Sequence, residues 1–329
     1  MIRKYGFSTL AAAAFFVSAL APAPAQAQLW TWTKDQMLEY TKAWTGDRFP
    51  DGRPKVPDSF IARARDLSQE EVTINWAAGA AGGAGGAGGA GGGRGAGGGR
   101  GGGGSPYSQY VGEWQVLHPG KKMVGRALTV QFMPARPDLD AVVTAKAREK
   151  GIQTLNNQYA IDMVQPGDVL VVDLMGRKEG GTIVGDNLFY YILKASHSTG
   201  LVIEGAFRDL EGIAEMDMPC YYRGVHPTAI GGVTLAGVNV PIRIGNVTVM
   251  PGDMVVGDRE GVSFIPPQLA EQILDTADTT HVHDEWTRKK FDEGKYKSSE
   301  IYGSPRDPAL LKEYQEYLKK RLEEIRSKR

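Results

Sequence analysis

The residues with the clearest chemical capacity are Arg208 and Asp209, adjacent in the chain just after an apolar run that begins at Leu201. An arginine can grip a carboxylate with two parallel hydrogen bonds. An aspartate with no second acid beside it suits a hard divalent ion that keeps most of its waters. Upstream, Gly185-Asp186-Asn187-Leu188 opens a helical stretch. The first N–H groups of a helix have no partner within it and form an anion cradle. A carboxylate-bearing substrate beside a divalent cation is the chemistry these residues could perform together.

The flanking elements must place them. Leu201-Val202-Ile203-Glu204 is a short apolar, β-branched run, read as a buried strand that Gly205 ends with a tight turn. Phe189 to Ala195 reads as a helix, and Val169 to Asp173 as a strand after the Pro166-Gly167 turn. Strand, helix, strand in this order makes a βαβ unit with local parallel pairing, so the fold class is α/β. In open α/β sheets, ligands bind at the carboxyl ends of strands, where Arg208 and Asp209 would stand. Ala127 to Phe132 is a further strand, and Asp138 to Tyr159 carries helical signals. Val247 to Val256 and Gly261 to Ile265 add strands separated by Pro-Gly and Gly-Asp turns. Pro266 to Thr276 reads as a helix. Asp307-Pro308 starts another, with Leu311, Tyr314, Leu318, Leu322 and Ile325 along one face.

Five segments follow from composition. Residues 1–27 have the form of a secretory signal: Arg3 and Lys4, then an apolar stretch, then Ala25-Gln26-Ala27. Export to the periplasm or outside the cell is the expectation, with no membrane span after cleavage. Residues 28–76 form an N-terminal helical extension. Thr33-Lys34-Asp35-Gln36 and Ser68-Gln69-Glu70-Glu71 are capping-box patterns, and Asp51 to Pro57 is a turn-rich connector. Trp30, Trp32 and Trp44 suggest packing on a core or a neighbouring subunit, with a sugar platform as the alternative. Residues 77–104 are nearly all Gly and Ala and read as a flexible linker. A globular catalytic domain spans 105–280, and a C-terminal helical extension spans 281–329.

Charge is balanced, with 38 Lys+Arg against 38 Asp+Glu, so no basic field draws nucleic acid. The single cysteine, Cys220, excludes an internal disulfide and reads as a packing residue. In His281-Val282-His283-Asp284 the two histidines do not share a helical face, so they read as solvated polar residues rather than a zinc site.

The loop Gly185-Asp186 and the pair Arg208-Asp209 resemble the signature of the RraA-like family, which includes the class II pyruvate aldolases acting on 4-hydroxy-4-methyl-2-oxoglutarate. Further matches are Pro166-Gly167-Asp168 through Asp173, Val238-Asn239-Val240-Pro241, Pro251-Gly252-Asp253 and Gly257 through Val262. The resemblance covers roughly Val116 to Leu274. One departure is the Asp186-to-Arg208 spacing, one residue longer than the family pattern; the added residue falls in Ser196-His197-Ser198-Thr199-Gly200 or the helix before it. The resemblance implies a swivelling β/β/α domain in homotrimers, or dimers of trimers, with active sites between subunits. It implies a metal-dependent lyase that cleaves or decarboxylates a 2-oxo acid through a pyruvate enolate. Asp209 would be the protein ligand of Mg²⁺ or Mn²⁺. Arg208 would bind the substrate carboxylate and steady the enolate. The N–H groups of Asp186, Asn187 and Leu188 would hold a carboxylate, and Asp186 would orient a water.

Each residue also has a plainer reading. Arg208-Asp209 is a surface ion pair at a strand end in the alternative, and His197 and His226 are structural histidines rather than acids or bases. Glu204 is either an inward supporting group or a solvated acid. Two other functional classes compete with the lyase. One is a non-catalytic binding or regulatory protein of the same family, and the other is an exported binder of small carboxylates. No glycine-rich nucleotide loop follows a strand and opens a helix, so nothing here supports a methyltransferase.

Overall fold

A computed structural model of the protein describes residues 31–73 and 109–327. The segment read as a secretory signal, Trp30 and the glycine-rich tract lie outside the described residues. Eleven strands are described: β1 (Tyr110–Val111), β2 (Gln115–Leu117), β3 (Met123–Pro134), β4 (Asp168–Thr182), β5 (Leu201–Phe207), β6 (Cys220–Val225), β7 (Val233–Val238), β8 (Ile242–Ile244), β9 (Val247–Val249), β10 (Met254–Gly257) and β11 (Val262–Ile265). The main sheet runs β1-β11-β10-β3-β4-β5-β6-β2, with β7 also pairing β3. Its centre, β3 to β6, is parallel, and the flanking pairs are antiparallel.

Period-two alternation splits each central strand between two cores. Leu201, Ile203 and Phe207 of β5 pack with Phe189 and Ile192 of the helix Asp186–Ser196 and with Ile161 and Ile213. Val202 points the other way, towards Ile242, Ile244, Val247 and Val249 of the β8–β9 hairpin. The layers are therefore helices, sheet, hairpin, the β/β/α arrangement expected.

Several elements differ in extent from the sequence reading. The helical signals from Asp138 to Tyr159 resolve into Pro137–Glu149 and Asn157–Ile161. Gly151 at φ 80° breaks the first, and Asn156 caps the second. Gly205 does not end β5, which continues to Phe207. A side chain there would come within 2.7 Å of the Gly181 carbonyl oxygen, so close approach to β4 explains the glycine. The helix expected over Pro266–Thr276 extends from Pro267 to Asp292, through the boundary drawn at 280. Buried Ala277, Val282 and Trp286 continue its inner face past the β-branched Thr279-Thr280.

The N-terminal extension is built into the domain. Both capping boxes form: Gln36 N–H donates to Thr33 Oγ1 and Glu71 N–H to Ser68 Oγ, with the reciprocal bonds present. Ile61, Ala64, Leu67 and Val72 pack against Ala270, Ile273, Leu274 and Ala277 of the long helix. The connector Asp51 to Pro57 carries Arg53 into the interior, where it is 1% exposed. Its guanidinium grips Asp168 with two bonds (Nη1–Oδ1 2.8 Å, Nη2–Oδ2 3.1 Å), donates to the Ala127 carbonyl, and stacks on Phe49 at 4.3 Å. Sequence reading gave this arginine no role, because nothing in a Pro/Gly-rich stretch announces a buried partner over a hundred residues away.

Asp168 and Asp253 end two matching Pro-Gly-Asp turns. In each, the glycine takes positive φ (82° at Gly167, 86° at Gly252), and the aspartate accepts the N–H three residues back. The turns differ in charge balance. Asp168 has Arg53, whereas Asp253 is fully buried with Oδ1 unpartnered, and burial pushes its carboxyl up to about 7 against the opposing Met250 N–H bond.

Two outcomes follow. Arg53→Met strands a buried carboxylate and should cost about 3–5 kcal/mol, read as a lowered denaturant midpoint. The folded chain holds the Asp253 proton up to about pH 7, whereas the unfolded chain loses it near 3.8. The folded state therefore binds more protons across that window, and this group's contribution falls as pH rises through it. Asp253→Asn should flatten the decline of the thermal midpoint between about pH 4 and 7; an unchanged slope would contradict this.

Candidate active site

β4 and β5 run parallel and adjacent, so the segments that follow them emerge at one sheet edge. After Thr182 the chain reaches Gly185, which starts the helix Asp186–Ser196 from an extended conformation. After Phe207 it reaches Arg208 and then Asp209, whose backbone is left-handed (φ 58°, ψ 35°) and turns into the short helix Leu210–Ile213. A non-glycine residue in this region is uncommon, aspartate being one of the types that tolerate it. The strain is held by the Ile213 N–H bond to the Asp209 carbonyl and turns the carboxylate back towards the glycine loop.

The meeting is close. Asp186 N–H donates to Asp209 Oδ2 at 3.4 Å, and Arg208 Nε lies 3.6 Å from the same oxygen. A side chain on Gly185 would overlap Asp209 Oδ2 and stand 2.8 Å from Arg208 Nη2, so only glycine leaves both groups room. Arg208 Nε is buried with no hydrogen-bond partner among the described residues. Asp209 keeps 41% of its side chain exposed.

Of the expected cradle, the three N–H groups have different fates. That of Asp186 faces Asp209, that of Asn187 is taken by Asp186 Oδ1 at 2.7 Å, and that of Leu188 has no acceptor among the described residues. Asp186 is thus half-buried with its carboxylate turned into the cradle, packed against Gly212. The Asp186–Arg208 spacing of this chain is compatible with this contact. The loop Ser196 to Gly200 lies at the other end of β5, about 23 Å away along a seven-residue strand. There His197 and Ser198 both adopt φ 59°, and Ser198 N–H closes on the Leu193 carbonyl at 2.8 Å. His197 is therefore a helix-ending residue remote from the pair.

The remaining candidates separate likewise. His226 stands beside the pair: its N–H donates to the Phe207 carbonyl at 3.0 Å, one residue before Arg208. Glu204 points into the hairpin-side layer and accepts from Arg223 Nε at 3.0 Å; Arg223 in turn stacks on Trp114. Cys220 is buried, and burial pushes its thiol well above its ordinary range. His281 bonds Glu71, and His283 bonds the Gly303 carbonyl in the bend after the helix Ser298–Ile301, so both serve as structural ties.

A divalent ion fits this donor set in one way. Among the described residues no group of three or more His, Cys, Asp or Glu side chains converges, so a protein cage is absent there. A single exposed carboxylate, beside a guanidinium whose Nε lacks a partner, suits an ion held by Asp209 and otherwise by water and substrate oxygens.

A family model described as RraA-like, Aldolase/RraA, matches residues 105–263. A protein named "Putative 4-hydroxy-4-methyl-2-oxoglutarate aldolase" from Halalkalibacterium halodurans is 32% identical over 120 residues, 36% of this chain and 56% of that one. A protein of the same name from Ectopseudomonas mendocina is 31% identical over 110 residues, covering 33% of this chain and 67% of the relative. Protein DlpA of Legionella pneumophila is 30% identical over 159 residues, 48% of this chain but 24% of its own length. The chain thus spans about half or less of several relatives it matches. Among solved structures, an uncharacterized protein from Pseudomonas syringae superposes with TM-score 0.54 at 21% identity, covering 74% of this chain and 96% of that one. Streptomyces coelicolor RraAS2 gives 0.52 at 24% identity, over 72% and 98%. These superpositions cover more of the chain than residues 105–263 contain, so elements outside that segment share the fold.

Gly185→Ala tests the close approach. Its backbone suits alanine (φ −107°), and the atoms it would strike are side-chain ends rather than backbone, which can be pushed aside, so the thermal midpoint should stay within a few degrees. If the site turns over a 2-oxo acid, as the resemblance implies, displacing Arg208 and Asp209 should lower that turnover by roughly a hundredfold or more. Unchanged turnover would show that the glycine is not needed for the site.

Proposed function

Because this chain belongs to the RraA-like family, we propose that it is a divalent-metal-dependent lyase that cleaves or decarboxylates a 2-oxo acid to release pyruvate. The observation that carries this reading is the Arg208 Nε, buried and unpartnered, facing an Asp209 carboxylate that the left-handed backbone and the bare Gly185 hold in place. Burying such a donor is costly unless a ligand completes it.

Arg208 binds the substrate carboxylate and the adjacent oxygen on which negative charge develops. Asp209 would hold the ion, Mg²⁺ or Mn²⁺, which when bound would supply Lewis acidity at that oxygen. The free Leu188 N–H takes part in holding a carboxylate at the helix start, beside Gly185 and Asn187. Asp186 orients a water through which a proton reaches the departing or returning carbon. In aldol cleavage the hydroxyl proton leaves and the C–C bond breaks. Its electron pair moves to the 2-oxo oxygen to form an enolate, and one proton on carbon then yields pyruvate. Decarboxylation of oxaloacetate passes through the same enolate, with CO₂ as the other product.

The working form is a homotrimer or a pair of trimers, in which a neighbouring subunit completes the site, and the protein works in the periplasm or outside the cell. No helix among the described residues is long and apolar enough to cross a membrane.

The test is pyruvate release from oxaloacetate and from 4-hydroxy-4-methyl-2-oxoglutarate, with Mg²⁺ and with EDTA. Asp209→Asn is the informative variant, because asparagine tolerates the left-handed backbone and removes only the charge. Release that requires metal and falls at least a hundredfold in Asp209→Asn, with the thermal midpoint retained, is the expected result. Absence of release from both substrates by a folded, metal-supplied protein would overturn the lyase reading in favour of a carboxylate-binding role.

A further inference from the structure

His226 has a fixed hydrogen-bonding state that the roles above do not use. Its Nδ1 lies 2.9 Å from Thr228 Oγ1, and Thr228 N–H also points at Nδ1, at 3.4 Å. Thr228 Oγ1 already accepts the Gly180 N–H at 2.8 Å. Because Thr228 N–H donates to Nδ1, Nδ1 is an acceptor, and the Thr228 hydroxyl can turn its hydrogen to the same nitrogen. An imidazole whose Nδ1 is an acceptor carries its proton on Nε2. The network assigns His226 as the neutral Nε2–H tautomer, a hydrogen-bond donor. Nε2 meets no acceptor among the described residues.

The same network ties the histidine to the catalytic loop. Thr182 Oγ1 donates to the Thr228 carbonyl, and Gly231 N–H donates to the Gly180 carbonyl at 3.1 Å. Thr182 lies three residues before Gly185. Phe207 pairs with Val225, so Arg208 and His226 are the next residues at the ends of two neighbouring strands. Adjacent strands lie about 4.8 Å apart. The charged groups of the surrounding elements are Arg208 and Asp209 at the end of β5, Arg177, Lys178 and Glu179 on the arm of β4, and Arg223 on β6 itself.

We propose that His226 is a binding residue of this site, a neutral donor whose Nε2–H takes a carboxylate oxygen of the bound 2-oxo acid beside Arg208. The assignment rests on the reading of the site as one for 2-oxo acids. It gives the site a directional donor that adds no charge, next to a cation that supplies the charge. Such a ring has no open lone pair towards the substrate, because Nδ1 accepts from Thr228 and Nε2 carries the proton, so it donates rather than acts as a base.

Two variants separate the possibilities. In His226→Asn the amide oxygen can take over the Thr228 donors, but nothing reaches the Nε2 position. In His226→Gln an amide N–H reaches that position. The expected result is a KM for the 2-oxo acid raised roughly tenfold to a hundredfold in His226→Asn with kcat changed far less. His226→Gln should recover most of that loss, and kcat/KM should keep the wild-type pH profile. Wild-type KM in His226→Asn would leave only a structural histidine. Loss of kcat in both variants, together with one limb of the pH profile, would make it a proton-transfer group instead. Either result overturns the proposal.

A second readout does not need turnover. Binding of oxalate with Mg²⁺ is followed by calorimetry and by the ¹⁵N resonances of His226. A shift confined to Nε2–H supports the proposal even if no pyruvate is released, in which case only the lyase reading falls. Oxalate bound without a change at His226 overturns the proposal and leaves the lyase reading standing. No oxalate binding removes both.

Discussion

Everything at the candidate site depends on the parallel pairing of β4 with β5. Parallel strands deliver the segments that follow them to the same edge of a sheet. Here that brings Gly185, which ends the loop after β4, against the Asp209 carboxylate, two residues past β5. The fit works because one partner has no side chain and the other has a strained backbone. A left-handed residue costs on the order of 1–3 kcal/mol, and it persists where surrounding structure over-determines it. The surrounding structure is substantial: β5 is buried along its whole length between the helical layer and the β8–β9 hairpin.

A second constraint holds the other end of the sheet. The two Pro-Gly-Asp turns lie there, each placing a carboxylate in the interior. One is neutralised by Arg53 from the N-terminal extension, and the other keeps its proton to near-neutral pH. The extension is thus part of the folded body, since it supplies a core countercharge and covers the long helix with Ile61, Ala64, Leu67 and Val72. The candidate site and the buried carboxylates occupy opposite ends of the sheet. The Ser196–Gly200 turn therefore closes on the helix before it, through the Ser198 N–H bond to the Leu193 carbonyl, far from the pair at Arg208-Asp209.

The polar groups at the working edge form two sets with different degrees of completion. Glu204 and Arg223 bond each other, and Arg223 also bonds the Gly112 and Glu113 carbonyls and stacks on Trp114, so these groups are satisfied and rigid. Arg208 Nε, which is ion-paired with Asp209 but makes no hydrogen bond, the Leu188 N–H and the free nitrogen of His226 have no hydrogen-bond acceptor among the described residues. Buried or half-buried donors left open beside a fixed carboxylate make a site for an anion with several oxygens.

Much of this was legible in the chain because it depends on local chemistry. The Arg208-Asp209 pair after a β-branched run, the glycine before a helix start, the capping boxes at Thr33 and Ser68 and the Pro-Gly-Asp turns are short-range patterns whose meaning does not depend on distant residues. What depends on tertiary structure was not legible. Gly205 is demanded by the approach of a neighbouring strand and not by a turn. The helix that begins at Pro267 runs on to Asp292 because an inner face at Ala277, Val282 and Trp286 is covered by other elements. Arg53 sits in an unremarkable connector, and only the fold places Asp168 against it. The sequence by itself determined which groups could bind a carboxylate and a cation, since side-chain chemistry and strand order are encoded locally. The tertiary structure decided which of them meet, which are already satisfied and which remain open, because those properties belong to pairs of residues that the chain keeps far apart.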